Sequence, residues 1–435
     1  MKKTTLSIAL LLTFFNSFSQ HLKQQFVTSD VDNFWMAYDK IITTKDTVQQ
    51  YDYLNKLYFD KGTVGLESIM KARSYTPKMY LDAINQYPLF WQSIRPNINQ
   101  SKAVCKEIDR AINKFKSVYP ELKPVPIYFT VGAFRTNGTA SDNRVLIGSE
   151  MALTDKNTIF SELPEYLHYF YSNFTQSFKT IDLLCTHEYV HIQQKELVEN
   201  LLSSSLYEGV AEFVSTKILE KPSNSPAIAF GKQNEEKVKR LFEQDMFVNS
   251  RMYNWIWGEN KNELKERDLG YYIGYSICER NYEMAKNKKQ AIKEMIELDY
   301  KNEAQIENFV DRTKFFSTSI KNLNANYEKS RPTVTRISQF ENNSQTVNPN
   351  LTKITIHFST KMDIKRRGFD FGPLGESNVL RVKNVIGFSE DGQSFSFEVE
   401  LKPNQRYQSL VTNSFRAANG TPLKPYLIDI KTTGN

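Results

Sequence analysis

Residues 186–191 constrain what this chain can fold into more than any other stretch. They read Thr-His-Glu-Tyr-Val-His, and no proline or glycine occurs from residue 181 to residue 197. Apolar residues recur there with the three- and four-residue spacing of a helix. On one helix, His187 and His191 lie about one turn apart on the same face. The stretch therefore predicts a helix that presents two imidazoles to one point in space.

Two imidazoles at this spacing suit a zinc ion, because Zn–N bonds of about 2.0–2.1 Å need ligands that converge. Glu188 lies beside them, where its carboxylate can take a proton from a water molecule on the metal. The chain contains only five histidines, and two of them fall in this pattern. The alternative is a surface helix that carries two histidines by chance. A third ligand would decide between these interpretations.

Glu208 is the candidate third ligand, since a catalytic zinc takes three protein ligands and keeps a fourth position for water. It lies in residues 206–214, a second stretch with helical spacing. Gly209 and Ala211 in this stretch are small enough to allow a close approach to the first helix. Glu212, one turn later, is a candidate to accept the outer N–H of a ligand histidine and so fix its tautomer. An ordinary solvated helix face is the alternative.

The His-Glu-x-x-His pattern, followed on a separate helix by Glu-Gly-x-Ala-Glu, resembles the gluzincin branch of the zincin metallopeptidases. Within that branch the chain is similar to the predicted zinc-dependent proteases of bacteria. The resemblance implies that His187, His191 and Glu208 bind one zinc ion per chain. It also implies that Glu188 is the general base in the hydrolysis of peptide bonds in a peptide or protein substrate.

A further match begins at Tyr271, where the sequence reads Tyr-Tyr-Ile-Gly-Tyr. Aminopeptidase-like gluzincins have a Tyr-x-x-Gly at the start of a helix. The resemblance implies Tyr271 as the residue that stabilises the oxyanion, with Tyr272 as the second choice near the substrate. Ordinary packing is the alternative, because the chain contains 23 tyrosines. The Gly-x-Met-Glu-Asn strand of those aminopeptidases does not occur here, so no exopeptidase activity is implied.

Residues 143–151 lie before the His-Glu-x-x-His helix, in a place comparable to that of the Gly-x-Met-Glu-Asn strand of the aminopeptidases. Residues 136–139 predict a turn, and the segment that follows predicts an edge strand able to pair with an extended substrate backbone. Glu150 in this segment is a candidate substrate-binding residue. A strand whose glutamate only faces water is the alternative.

The beginning of the chain predicts export. A positively charged start, an apolar run from residue 6 to residue 15 and small residues at 17 and 19 are typical of a signal peptide, here residues 1–19. The apolar run is too short for a comfortable membrane span. We therefore expect no stable membrane insertion and a periplasmic, secreted or cell-surface location.

The charge of the chain argues against a nucleic-acid partner. The formal net charge is +7, and it falls by two, to +5, when Lys2 and Lys3 leave with the signal peptide. One basic stretch, residues 361–367, predicts a solvated turn more than a binding site. The three cysteines lie far apart in the sequence and imply no disulfide framework.

The pattern of predicted elements indicates an α+β protein. Residues 20–125 predict a helical part that supports a zincin-like metallopeptidase domain at residues 126–330, in which strands precede the metal-binding helix. Residues 332–435 alternate polar and apolar side chains between turn signals, which suits a seven-strand β-sandwich.

The string Ile-His-Phe-Ser-Thr-Lys-Met-Asp at 356–363 is similar to bacterial Ig-like domains. The resemblance implies a domain that positions the enzyme or holds a surface partner. Two other functions stay open. The chain can be a zinc-binding protein without activity that serves adhesion or assembly through its Ig-like domain, or a zinc hydrolase that acts on an ester or another amide.

Overall fold

The computed structural model describes residues 25–174, 177–258 and 263–434, so the expected signal peptide at 1–19 lies outside the described residues. The chain forms two compact units, divided between Thr318 and Ser319. The first unit is largely helical and the second consists mainly of strands, which confirms the α+β class. In the part of the chain described here, none of the helices has the length and hydrophobicity that a bilayer crossing requires.

The first unit combines one small sheet with many helices. The strands are β1 (Phe26–Val27), β2 (Ile127–Thr130), β3 (Gly138–Ser141) and β4 (Arg144–Gly148). The helices are α1 (Ser29–Ile41), α2 (Thr47–Leu54), α3 (Val64–Ala72), α4 (Pro77–Gln86), α5 (Pro88–Ile98), α6 (Ser101–Val118), α7 (Ser149–Ala152), α8 (Glu165–Asn173), α9 (Ile181–Gln193), α10 (Leu201–Leu219), α11 (Pro226–Gln233), α12 (Glu235–Asp245), α13 (Met252–Ile256), α14 (Leu269–Met284), α15 (Lys288–Glu297) and α16 (Glu303–Arg312).

Local sequence accounts for several of these helices. The side chains of Asp46, Thr63 and Asn200 accept backbone N–H groups at the starts of α2, α3 and α10, which satisfies donors that have no partner within the helix. Helix α6 buries an apolar stripe that includes Ile108 and Phe115. It packs against α9 and α10, so the N-terminal helices support the helices that carry the candidate ligands.

The sheet has the order β1-β2-β4-β3. Strand β1 runs parallel to β2, and β2 runs parallel to β4, whereas β3 is antiparallel to β4. Because α1 to α6 connect β1 to β2, this helical segment is a crossover within one sheet. The predicted boundary between residues 125 and 126 thus falls inside a single compact unit.

The edge of the sheet differs from the prediction. Strand β4 lies between β2 and β3, so the prediction that residues 143–151 form the edge strand is wrong. Asp142 and Asn143 both have positive φ, 50° and 55°, as in the two-residue turns that close tight hairpins. This turn lets residues 138–141, partly expected as a turn, form β3, and β3 takes the edge position.

The second unit begins with helix α17 (Ile320–Ser330) and continues as two sheets. Their orders are β5-β6-β9-β8 and β11-β10-β7, and β6 and β9 match the predicted alternating runs. The Ig-like resemblance remains a prediction. The strands are β5 (Val334–Ile337), β6 (Lys353–Phe358), β7 (Phe369–Asp370), β8 (Asn384–Phe388), β9 (Ser394–Glu398), β10 (Arg406–Val411) and β11 (Tyr426–Lys431).

The core of the second unit is formed by side chains from both sheets. Ile354 and Ile356 of β6 alternate with more exposed residues, as do Phe395 and Phe397 of β9. They belong to one buried cluster with residues of β10 and β11, including Ile428. Alternation with a period of two is what a strand with one buried face requires, and the second unit therefore has a hydrophobic core of its own.

Candidate metal centre

Helix α9 carries both histidines of the motif. The predicted helix is confirmed, and it ends after Gln193 because Gln194 has an extended backbone, with φ −70° and ψ 152°. The Nε2 atoms of His187 and His191 lie 3.1 Å apart. The two rings are nearly perpendicular, with their centroids 4.7 Å apart. Both imidazoles therefore direct the same nitrogen to one point.

Helix α10 brings Glu208 to that point. Its Oε2 atom lies 3.2 Å from Nε2 of His191 and 3.5 Å from Nε2 of His187. From its small size, Gly209 was expected to face α9, but it faces α14 instead. A Cβ atom on Gly209 would lie 2.2 Å from the carbonyl carbon of Gly274. The close approach that glycine permits thus joins the ligand helix to the helix of Tyr271.

The outer nitrogens of both rings have acceptors. Nδ1 of His191 lies 2.7 Å from Oε1 of Gln194. The amide nitrogen of Gln194 donates to Tyr207 and Tyr300, so its oxygen is left to accept from His191. Nδ1 of His187 lies 3.2 Å from Oε2 of Glu212, the partner predicted from sequence. Both Nδ1 atoms therefore donate, and in the neutral rings both Nε2 atoms carry lone pairs.

This arrangement of donors fits a zinc ion. Two nitrogen lone pairs and a carboxylate oxygen converge within 3.1 to 3.5 Å of one another and repel unless a proton or a cation lies between them. Tetrahedral ligands at about 2.1 Å from zinc are themselves roughly 3.4 Å apart. The three observed distances are close to this value, so the three side chains can hold one zinc ion and leave a fourth position open.

The charges at the site also favour a cation. Burial lowers the pKa of His187, but the carboxylates of Glu208 and Glu212 outweigh this effect and raise it to about 10. Burial raises the pKa of Glu208, and the imidazoles of His191 and His187 lower it well below its usual range. The glutamate therefore stays ionised, and the site attracts positive charge.

Glu188 lies beside this cluster and faces the edge strand. Its side chain is buried, and a Cβ atom on Gly138 of β3 would lie 3.1 Å from its Oε1. Burial raises the pKa of Glu188, while the two imidazoles and the guanidinium of Arg73 lower it to a smaller extent. A carboxylate with a raised pKa is suited to take up a proton and return it.

Tyr271 is brought to the same site from α14. Its ring stacks on His187, with the centroids 6.2 Å apart, and its hydroxyl is within hydrogen-bonding reach of Glu208. Burial and the nearby carboxylates raise the pKa of Tyr271 well above its usual value. The hydroxyl therefore keeps its proton and can act as a donor.

The other two candidates have different surroundings. Tyr272, one position further on α14, is fully buried and donates to Glu235 at 2.6 Å, because successive helix residues point about 100° apart. Glu150 is also fully buried, and its carboxylate accepts the N–H groups of Gly132 and Phe134. Both side chains face the interior of the unit, away from a substrate.

Three neighbours of the site were not predicted. Gln194 orients His191, and its position three residues later on the chain was a usable signal. Tyr207 stacks on His191, with centroids 4.7 Å apart, and it directly precedes Glu208. Arg73, at the end of α3, acts on Glu188, and no local pattern links residues so distant in sequence.

Residues 93–304 match the model of a protein family described as predicted Zn-dependent protease (DUF2268). The matched segment contains α9, α10 and α14, which carry the candidate ligands, the candidate base and Tyr271. Over these residues the chain is similar to a family of predicted zinc proteases, whose name implies a dependence on zinc.

The other comparisons add little. No curated protein matches the chain. One solved structure, "Crystal structure of the S-layer protein rSbsC(31-844)", matches at 12% identity with a TM-score of 0.18. The match covers 62% of this chain and 36% of that chain, and no likeness of fold follows from such a score.

Proposed function

We propose that this chain is a zinc-dependent peptidase that hydrolyses peptide bonds with Glu188 as general base. The observation that carries the proposal is the convergence of His187, His191 and Glu208 on one point, with the lone pairs of both imidazoles aimed at it. When bound there, a zinc ion supplies a Lewis acid that acidifies water and polarises a carbonyl oxygen.

The remaining steps belong to side chains of this chain. Glu188 takes a proton from the attacking water and later gives it to the leaving amine. Tyr271 donates a hydrogen bond to the oxygen on which negative charge develops. Glu212 and Gln194 hold the two imidazoles in the tautomers that keep Nε2 free.

We infer that an extended substrate pairs with β3. This strand lies at the edge of its sheet. Gly138 lets β3 itself come close to Glu188, because a side chain at this position would meet the carboxylate. Main-chain pairing to a sheet edge gives affinity without requiring a particular side chain on the substrate. A peptide or protein substrate, and export directed by residues 1–19, belong to the same proposal.

Metal content and proteolysis of purified variants test this proposal. We expect about one zinc per chain in the unchanged protein, and cleavage of a casein or peptide mixture that a chelator stops. Glu188→Gln should retain zinc and lose activity by about 100-fold or more, since proton transfer contributes about 10²–10⁴-fold. Glu208→Ala should lose the zinc itself.

Glu67, an exposed glutamate on α3, provides the control. Glu67→Gln should leave both zinc content and cleavage unchanged. A Glu188→Gln protein that still cleaves after repeated purification would refute the role of Glu188. An unchanged protein that binds zinc but cleaves no peptide would instead favour the inactive or non-peptidase alternatives.

A further inference from the structure

The second unit carries a cavity of about 410 Å³ lined almost entirely by cationic side chains. This basic cavity is formed by Lys365, Arg366, Arg367, Ser414 and Arg416. Four of the five lining residues are positively charged and none is acidic. Three residues of the predicted basic turn, 365–367, therefore form one wall of a concavity that also includes a second segment of chain.

The backbone holds the two segments side by side. The N–H of Asp363 donates to the carbonyl of Arg416 at 2.8 Å. Beyond the basic residues, Thr412 donates its N–H and its hydroxyl to the carbonyl of Gly368. A Cβ atom on Gly368 would lie 2.8 Å from that of Ser414. The basic residues thus lie on a turn that is fixed at both ends against the 412–416 segment.

The cations at residues 365–367 lack the acidic partners that some other cations of this unit have. Arg381 pairs with Glu376 at 2.8 Å, and Lys383 pairs with Glu400 at 2.9 Å. Over the described residues, no carboxylate forms an ion pair with the side chains of residues 365–367. The nearest acid along the chain, Asp363, accepts the backbone N–H of residue 365 at 2.9 Å and belongs to the turn.

The chemistry of the lining indicates the kind of ligand. Like charges that converge on one concave surface repel one another and raise the local concentration of anions. Guanidinium groups pair with phosphate through two parallel hydrogen bonds, and the Ser414 hydroxyl adds a donor. The volume is within the range of small-molecule sites, about 300–1,000 Å³, and the number of cations exceeds what one phosphate group needs.

We propose that the basic cavity binds a ligand with two or more phosphate groups, either free in solution or displayed by lipid headgroups. The site lies wholly within the second unit and uses none of the residues assigned to peptide hydrolysis. The proposal therefore stands or falls independently of the proposed enzymatic function.

Binding of inorganic pyrophosphate to the full chain, measured by calorimetry, and sedimentation with phosphatidylcholine vesicles that contain phosphatidic acid test the two sources. We expect Arg366→Gln combined with Arg367→Gln to weaken binding about tenfold or more, and added salt to weaken it further because exposed charges are screened. Binding to pyrophosphate supports a free ligand. Binding to the vesicles alone supports lipid headgroups.

Arg381→Gln combined with Lys383→Gln is the matched control, because it removes the same charge from the same unit outside the cavity. Its affinity should stay within about twofold of that of the unchanged protein. Equal losses in both double variants would show that only net charge matters and would overturn the site. The site would also be overturned if the protein bound citrate but neither pyrophosphate nor the vesicles, or if it bound none of the three.

Ile364 separates the two sources further. This side chain is 59% exposed on the same turn, where a lipid surface would bury it. Ile364→Ser should weaken binding to vesicles and leave binding to pyrophosphate unchanged if lipid headgroups are the natural source.

Discussion

Each of the two candidate ligand histidines is oriented by a residue that does not itself face the metal position. Glu212 accepts from His187, and Gln194 accepts from His191. Glu212 is held in turn by the hydroxyl of Ser223. Such partners fix the tautomer and the ring orientation of a ligand histidine, so the geometry of the site depends on more residues than the motif contains.

Glu212→Gln should therefore lower zinc affinity by about 10- to 100-fold without removing a ligand. The neutral amide still accepts a hydrogen bond but no longer makes the imidazole more basic. Competition with a chromophoric chelator measures the change. Glu220→Gln, at the exposed end of the same helix, should leave the affinity unchanged, and an equal loss in both variants would refute the role of Glu212.

Glu150 makes a prediction about pH and stability. Burial raises its pKa from 4.5 to about 7, although hydrogen bonds from Gly132 and Phe134 oppose this. A raised pKa means that the folded state binds the proton more tightly than the unfolded chain. Below about pH 4.5 the protonated group contributes on the order of 3 kcal/mol to the free energy of unfolding, and this contribution is lost as the pH rises through about 7.

Glu150→Gln should remove this pH-dependent part and also cost about 1–3 kcal/mol, because one backbone N–H then faces an amide N–H. Urea unfolding at about pH 5 and about pH 8 measures it. The advantage of the unchanged protein over the variant should be larger at the lower pH. The same difference at both values would contradict the raised pKa.

At the scale of elements, the site depends on how closely α10 packs against α14. Gly209 and Gly274 face each other, and a Cβ atom on Gly274 would lie 1.9 Å from the carbonyl oxygen of Ser205. Contacts this close leave no room for a methyl group. They place Tyr271 and Glu208, on two different helices, within reach of one metal position.

Gly209→Ala should therefore push the two helices apart, with a cost to the free energy of unfolding of about 3 kcal/mol. It should also weaken zinc binding, since Glu208 is the adjacent residue. Met284→Ala, on the exposed part of α14, should change stability by less than about 0.5 kcal/mol. Chemical unfolding and chelator competition measure both effects, and a stable Gly209→Ala protein with normal affinity would disprove the close packing.

At the scale of the whole molecule, the two units have separate cores and separate candidate sites. All candidate zinc ligands lie before Thr318, whereas the basic cavity and the cluster around Ile356 lie after Ser319. A ligand stabilises only the folded unit to which it binds. Zinc and phosphate are therefore expected to act on different unfolding transitions.

Removal of zinc should lower one calorimetric transition and leave the other unchanged. At a free concentration about 1,000-fold above its dissociation constant, the ion stabilises its unit by about 4 kcal/mol, and a chelator removes this contribution. Glu208→Ala should already show the lower transition and respond little to the chelator. A shift of both transitions by the chelator would mean that the units unfold together.

The local pattern of the sequence determined the α+β class, the helix of the His-Glu-x-x-His motif and the three candidate ligands. These depend on spacing along one helix or on one motif, which residues close in sequence encode. The alternating strands of the second unit were predictable for the same reason, since each strand buries one face.

Apart from Glu212 and Tyr271, which the sequence analysis also placed at the site, only the tertiary structure decided what lies around those ligands. The turn at Asp142 and Asn143 made β3 the edge strand. Glu150 and Tyr272 are buried in the interior of the first unit. The positive charge of Arg73 lowers the pKa of Glu188, and Arg416 lines the basic cavity, although both arginines lie far from these partners in the sequence. Contacts of this kind depend on how whole elements pack, and the sequence near either partner carries no signal for them.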